Sequence, residues 1–418
     1  MAFSFDNVFE KEAKIFSNYA KEKGINLENC ENKLSLKVSE TLNDEEFEIK
    51  AEETITVFAN TSKGMSNALA TLLGAIKPSE NGFEVDLKSL KKTPQMPYRG
   101  LHLDLARQWH PVEYILKYID LCYLNCATHL QLHFTDNESF TLPMKAFLNL
   151  STKGRTYTFD EIKKIRAYAN ERNITLVPEV DLPGHTAQFC KTYPEIFGTL
   201  NILPASEKVF KALKTILEEV LEMFPESPLI HLGGDEAMIT AWEKCEETKN
   251  YMKENGIKDI HEMYAEYIRI VTDMIIEMGR TPVVWEGFSK EYNDRISKKT
   301  IVICWESLYQ PAYDLATSGF TIINCSWKPL YVVTYFKHWT PEEISKWNPY
   351  NWQNWWEESI AYPDGYTIDK ETSNVIGAQM CVWGDKLMHL QGDEIKKGLD
   401  DEFDLVKERF PALIEKLF

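Results

Sequence analysis

The sequence predicts an α/β protein, a parallel (β/α)8 barrel of the TIM type preceded by a small α+β domain. Three observations carry that prediction. From Tyr98 onward, short apolar runs alternate with longer helical ones, the pattern of buried parallel strands joined by helical crossovers. Acids, histidines and tryptophans recur just after the apolar runs, and the carboxyl ends of barrel strands share one face. Ahead of these, Lys91-Lys92-Thr93-Pro94-Gln95-Met96-Pro97 has two prolines and no periodicity, which divides the chain into 1–95 and 96–418.

In the first part, residues 4–23 predict a helix with Val8, Phe9, Ile15, Phe16 and Tyr19 on one apolar stripe. Strands are expected at 34–38, 47–51 and 54–59, the last alternating Ile55, Val57 and Ala59 inward, followed by a helix from Lys63 to about Ile76. The polar residues here form no constellation, so a packing role is expected. In the second part the expected strands are 100–105, 128–134, 175–180, 229–232, 282–285, 301–305, 321–324 and 377–383. Helices are expected at 112–124, 159–172, 206–224, 260–278 and 311–318, with 400–418 closing the unit. An open doubly wound sheet is the alternative, but no glycine-rich phosphate loop follows any strand.

The fourth strand leads into Leu229-Ile230-His231-Leu232-Gly233-Gly234-Asp235-Glu236. Adjacent side chains on a strand point to opposite faces, so two neighbouring acids reach one pocket only if the backbone leaves strand geometry. Gly233-Gly234 permits that departure. Around the same face the strand ends supply Asp104 and Arg107, His133 and Asp136, Glu179, Asp181 and His185, Trp285-Glu286, Trp305-Glu306, and Trp383-Gly384-Asp385. Indoles beside carboxylates suit a sugar ring, whose C–H face packs on an aromatic face while its hydroxyls take hydrogen bonds. The tryptophan-rich segment 339–356 either rims this cleft or packs over the barrel.

Bulk properties narrow the class. With 44% hydrophobic and 26% charged residues the composition is that of a soluble globular protein, and a formal charge of −18 disfavours nucleic-acid or anionic-membrane partners. No signal peptide or apolar run of spanning length is visible, and the eight cysteines are scattered, so a cytoplasmic, reducing location is expected. Cys122 and Cys126 lie at helical spacing without further ligands, so neither a metal nor any other cofactor is expected.

His231-Leu232-Gly233-Gly234-Asp235-Glu236 resembles the His-x-Gly-Gly-Asp-Glu signature of glycoside hydrolase family 20, the β-N-acetylhexosaminidases. Tyr98-Arg99-Gly100 through Asp104 to Arg107, Leu132-His133 to Asp136-Asn137, Glu179 to His185-Thr186, Val284-Trp285-Glu286 and Gly377 to Asp385 resemble the same family's other strands, in order. The resemblance implies removal of terminal β-linked GlcNAc or GalNAc from glycans by a retaining, substrate-assisted route, an exception to the two-carboxylate scheme. The substrate's acetamido oxygen attacks the anomeric carbon, and an oxazolinium-type intermediate forms. An internal nucleophile held in line lowers a barrier by about 7–11 kcal/mol.

In that scheme Glu236 is the general acid and then the base, its pKa raised by burial and a nearby anion, while Asp235 stays ionised against the acetamido N–H. The resemblance assigns Arg107 and Asp385 to the sugar's far edge, and Trp285, Trp305 and Trp383 to the acetamide box and ring floor. It assigns the acetamido oxygen to Tyr331, with Trp327 and Tyr335 as alternatives, and the support of Glu236 to Asp136, Asp181 and His185; His133 is grouped with these or is structural. One departure stands out: the family commonly has Glu where this chain has Asp385, one methylene shorter. Two other readings remain open on the residues alone. A metal-dependent hydrolase would use Asp104, His133, Asp136, His185 and Asp235; a non-catalytic sugar-binding protein would keep the indoles without needing both acids.

Overall fold

The computed structural model describes residues 3–25, 33–79, 82–371 and 374–418. Eight parallel strands pair in chain order: β1 (Tyr98–Asp104), β2 (His129–His133), β3 (Thr175–Glu179), β4 (Leu229–His231), β5 (Thr281–Trp285), β6 (Ile301–Cys304), β7 (Thr321–Asn324) and β8 (Val375–Trp383). β8 pairs with both β7 and β1, which closes the barrel. Every strand lies within two residues of its expected position. The sequence signal is strong because these strands are buried on both faces; all seven residues of β1 are inaccessible.

Side-chain alternation sorts the strands into two cores. Leu101, Leu103, Leu130, Leu132, Ile230, Val284, Val302, Ile322, Met380 and Val382 face the helices. Val177, Leu229, Val283, Ile303, Ile323 and Cys381 face inward. Towards the carboxyl end the inward set turns polar, with His102, Gln131, His133, Glu179, His231 and Gln379 all fully buried. That polar layer is the base on which the mouth of the barrel is built.

Three of the crossover helices begin at side-chain caps: Thr158 with Glu161 in a reciprocal capping box, Ser206 on Val209, and Asp259 on His261 and Glu262. Some elements differ from expectation. The last helix runs Asp393–Leu417, starting seven residues early, because Gly398 interrupts the apolar stripe while fitting closely against Leu387 and Leu390. Short helices at Ala187–Thr192, Glu246–Glu254 and Pro341–Lys346 lie in segments for which the sequence analysis names no element. Tyr331–Val333 adds to β8 as a further parallel neighbour.

Before the barrel, five strands order as Phe3–Phe5, Lys33–Val38, Thr54–Ala59, Phe47–Ala51 and Leu90–Lys92. The helices Glu10–Glu22 and Ser62–Ala75 share a core with this sheet, built on Phe9, Phe16, Leu34, Leu36, Phe47, Ile49, Val57, Met65 and Leu69. The single helix expected over 4–23 is corrected: Phe3–Phe5 is a strand, in register with Leu34 to Leu36, and the α-helix starts only at Glu10. Parallel pairing with a distant segment overrides the local helical pattern there.

Arg99 joins the two cores. Fully buried, it donates to the carbonyls of Cys126 (2.8 Å) and Met96 (2.7 Å), pairs with Glu45, and lies over the Phe418 ring at 5.2 Å. Removing one partner of a buried, hydrogen-bonded ion pair costs about 3–5 kcal/mol. Arg99→Met is therefore expected to lose about 3 kcal/mol or more in urea unfolding; a loss below about 1 kcal/mol would mean that the seam does not depend on this residue.

Candidate active site

The site begins where β4 ends. Gly233 (φ +64°), Gly234 (φ +95°) and Glu236 (φ +42°) all adopt left-handed backbone, so the strand turns instead of alternating. A Cβ on Gly233 would stand 1.7 Å from Asp181 Oδ1, so only glycine fits. The turn is held by the Gly234 N–H donating to Asp181 Oδ1 (3.2 Å), the Trp285 N–H to the Gly233 carbonyl (2.8 Å), and the Tyr264 hydroxyl to the Gly234 carbonyl. Asp235 is thereby carried inward, 7% exposed, while the Glu236 side chain stays at the lip, 50% exposed.

Both acids open on one cavity of about 190 Å³. Its wall gathers eleven of the twelve residues to which the resemblance assigns a role: Arg107, His133, Asp136, Asp181, His185, Asp235, Glu236, Trp305, Tyr331, Trp383 and Asp385. Trp285 is the exception. It is the last residue of β5 and points into the barrel below the cavity, donating its indole N–H to Glu179 (2.8 Å), with its ring 6.1 Å from that of Trp383. Trp327, Val333, Phe336, Trp355 and Lys386 complete the wall. Trp355 comes from the tryptophan-rich segment, so part of that segment does rim the cleft.

Tyr331 is sandwiched between Trp327 (4.2 Å, 22°) and Trp305 (5.9 Å, 18°), which fixes its ring. The buried indole nitrogens of Trp305 and Trp383 and one oxygen of Asp235 have no protein hydrogen-bond partner. Buried polar atoms are normally satisfied, so unpaired ones in residues that line a cavity are candidates for a ligand.

A continuous run of charges supports the acids. Arg107 lies 2.9 Å from Asp136, 3.3 Å from Asp104 and 3.9 Å from Asp385. Asp136 accepts from His133 (3.0 Å) and His185 (3.0 Å), and the other nitrogen of His185 lies 3.4 Å from Glu236. Burial pushes the Asp136 carboxyl up, but the hydrogen bonds from both histidines and the charge of Arg107 outweigh it and hold it well below the usual range. Burial disfavours the His185 imidazolium, yet Asp181, Asp136 and Glu236 keep its pKa well above normal.

The two acids shift in the directions opposite to those expected. The hydrogen bond from His185 lowers Glu236 below the ordinary carboxylate value. Burial first, and Asp181 beside it second, raise Asp235 well above that value. The reason is placement: Glu236 sits half in water against a cation, whereas Asp235 sits dry against another acid, itself raised to about 7 chiefly by burial.

Two groups bring cation-binding atoms within 4.8 Å of one another: His102, His133 and Glu179, and Asp181, His185 and Asp235. In the first, Glu179 is already surrounded by nitrogens of Gln131, Trp285, His133 and His231. In the second, both ring nitrogens of His185 are engaged, one by Asp136 and one by Glu236.

A cleft with paired acids and indole walls at the carboxyl end of a (β/α)8 barrel defines a glycosidase-type site. The chain belongs to glycosyl hydrolase family 20, whose catalytic-domain profile matches residues 96–395. Mouse β-hexosaminidase subunit beta is 28% identical over 369 residues, which cover 82% of this chain and 65% of that protein. The β-hexosaminidase of Vibrio furnissii is 30% identical over 305 residues, 64% of this chain and 49% of that protein. The chain thus spans only part of the length of the curated relatives it matches. In fold, it is similar to the GH20 exo-β-N-acetylglucosaminidase of Vibrio harveyi in complex with N-acetylglucosamine (TM-score 0.82, 22% identity, covering 100% of this chain and 70% of that one). It is also similar to the β-N-acetylhexosaminidase of Bacteroides fragilis NCTC 9343 (TM-score 0.78, 22% identity, 100% and 86%).

Beside the site, Glu286 is buried and accepts from the backbone N–H groups of Glu306 (3.1 Å) and Ser307, with its second oxygen unpaired. Burial raises it from 4.5 to about 8. A carboxyl protonated in the fold and ionised in the unfolded chain stabilises below the unfolded pKa and loses that contribution as pH rises towards the folded one. Glu286→Gln is therefore expected to match the wild type near pH 4 and to gain on it by up to about 1.4 kcal/mol per pH unit between about pH 5 and 8. Thermal unfolding across that range checks this; a constant offset at all pH values would contradict it.

Proposed function

We propose that this chain is a retaining exo-β-N-acetylhexosaminidase that releases terminal β-linked GlcNAc or GalNAc from glycans through an oxazolinium-type intermediate. The observation that carries the reading is the split at the end of β4: two adjacent acids share one cavity, one buried on its floor and one at its lip. Glu236 at the lip protonates the leaving oxygen, then takes a proton from the attacking water. Asp235 faces the acetamido N–H and balances the positive charge that forms on the ring closed by the acetamido oxygen. The Tyr331 hydroxyl receives that oxygen, Trp305 and Trp383 enclose the acetamide, and Arg107 and Asp385 hold the far-edge hydroxyls. His185, oriented by Asp136 and flanked by Asp181, positions Glu236, and His133 supports Asp136.

The two shifts of the protein alone run opposite to what the reaction needs, and binding moves both the right way: a sugar over the lip desolvates Glu236, which raises it, and brings an N–H donor to Asp235, which lowers it.

The activity is tested with nitrophenyl β-glycosides of GlcNAc, GalNAc and glucose, with and without a chelator. The two acetamido sugars are expected to be cleaved at least about 10³-fold faster than the glucoside, with no effect of the chelator. Glu236→Gln lowers kcat by about 10²-fold or more, while Asp385→Ala acts mainly on KM. Equal cleavage of the glucoside would overturn the acetamide mechanism, and loss of activity on chelation would favour the metal reading. We also propose a reducing, cytoplasmic location; seven cysteines among the described residues are free, six of them buried.

A further inference from the structure

A second cavity, of about 300 Å³, shares Glu236, Trp305, Trp327 and Trp355 with the first and adds Trp356. Arg107, Asp235 and Tyr331 line only the first. On the activity proposed above, Glu236 protonates the oxygen that joins the sugar beside Asp235 to the residue released, so the released residue occupies the second cavity.

That cavity is chemically one-sided. Its wall is four indoles and one carboxyl, so Glu236 is both its only charged group and its only side-chain hydrogen-bond acceptor. Two of the indoles are already engaged: Trp327 stacks on Tyr331 at 4.2 Å and meets Trp355 edge to face (5.6 Å, 78°), and Lys337 Nζ stands 4.7 Å over Trp355. Trp356 differs, because among the described residues no aromatic ring or cation packs on its indole.

The backbone of this tryptophan pair is fixed by Asn354, which is buried. Its carboxamide oxygen accepts from the N–H groups of Trp355 (2.8 Å) and Trp356 (3.2 Å), and its nitrogen donates to the Glu306 carbonyl just past β6 (3.1 Å). The Ser359 hydroxyl donates to the same carbonyl, and the Ile360 N–H to that of Ser307 (2.9 Å). The pair is thus fastened to the strand end that carries Trp305. An indole face gains from a flat C–H face, which a pyranose offers and a peptide chain does not. A peptide would also bring N–H donors that indoles cannot satisfy, and an acidic residue would meet only the carboxyl of Glu236.

We propose that Trp356, positioned by Asn354, is the platform for the released residue and selects a neutral pyranose there, so that the substrates are neutral oligosaccharides rather than glycosylated peptides or acidic glycans. This rests on the hexosaminidase reading. The test compares kcat/KM for β-GlcNAc linked to a neutral hexose, to glucuronic acid, to the serine of a blocked peptide and to methanol. The wild type is expected to favour the neutral hexose about tenfold over the serine peptide and the methyl glycoside, and to cleave the glucuronic acid partner more slowly than the neutral one at low salt. The ratio of neutral disaccharide to methyl glycoside falls about tenfold in Trp356→Ala and is partly kept in Trp356→Phe, which controls for folding. It also falls in Asn354→Ala, although Asn354 lines neither cavity. Equal rates on the hexose and the serine peptide, a preference for glucuronic acid, or a ratio unchanged in Trp356→Ala or Asn354→Ala would overturn the inference. Failure to cleave the nitrophenyl β-GlcNAc would instead overturn the activity on which it rests.

Discussion

One buried carboxylate, Asp136, ties the mouth of the barrel together. It sits just beyond β2 and takes its neighbours from the segment after β1 (Arg107), from β2 itself (His133) and from the turn after β3 (His185). Through His185 it reaches Glu236 at the end of β4. A lone buried anion is costly, but here two imidazoles and a guanidinium surround it within hydrogen-bonding range, so its charge becomes a reason for four strand ends to keep their relative positions. The polar layer beneath, centred on Glu179 with Gln131, His133, His231 and Trp285, continues the same principle into the barrel interior.

That arrangement gives two neighbouring acids in the sequence different chemical lives. Glycine at 233 and 234 bends the chain so that Asp235 is dry and Glu236 is wet, and the electrostatics follow from that difference in exposure. Burial beside Asp181 pushes Asp235 up, and the hydrogen bond from His185 pulls Glu236 down. On the proposed activity, a sugar covering the lip changes both settings at once.

The barrel was legible because its strands are apolar on both faces and end in polar residues, so strand limits and site residues announce each other. The expected helix at 4–23 failed because Phe3–Phe5 pairs with a segment about thirty residues away, which no local pattern reveals. Trp285 lies beneath the residues that line the cavity, held by its hydrogen bond to Glu179, a contact between strands that no local pattern shows. The shifts of Asp235 and Glu236 run opposite to expectation because adjacency in sequence says nothing about which acid the turn leaves in water. Trp355 is placed by contacts between distant loops, including the Lys328 N–H to the Gln353 carbonyl at 3.0 Å, and only its aromatic richness hinted at a role.

The central claim is that the substrate's own acetamide supplies the nucleophile while the pair at the end of β4 handles proton and charge. Its most direct measurement is kcat for a series of aryl glycosides whose N-acetyl group carries zero, one, two or three fluorines. Each fluorine withdraws electrons from the carbonyl oxygen while hardly changing its size, so the account predicts a steep, progressive fall in kcat across the series. A flat response would contradict it and would move the nucleophile from the substrate to the protein or to water.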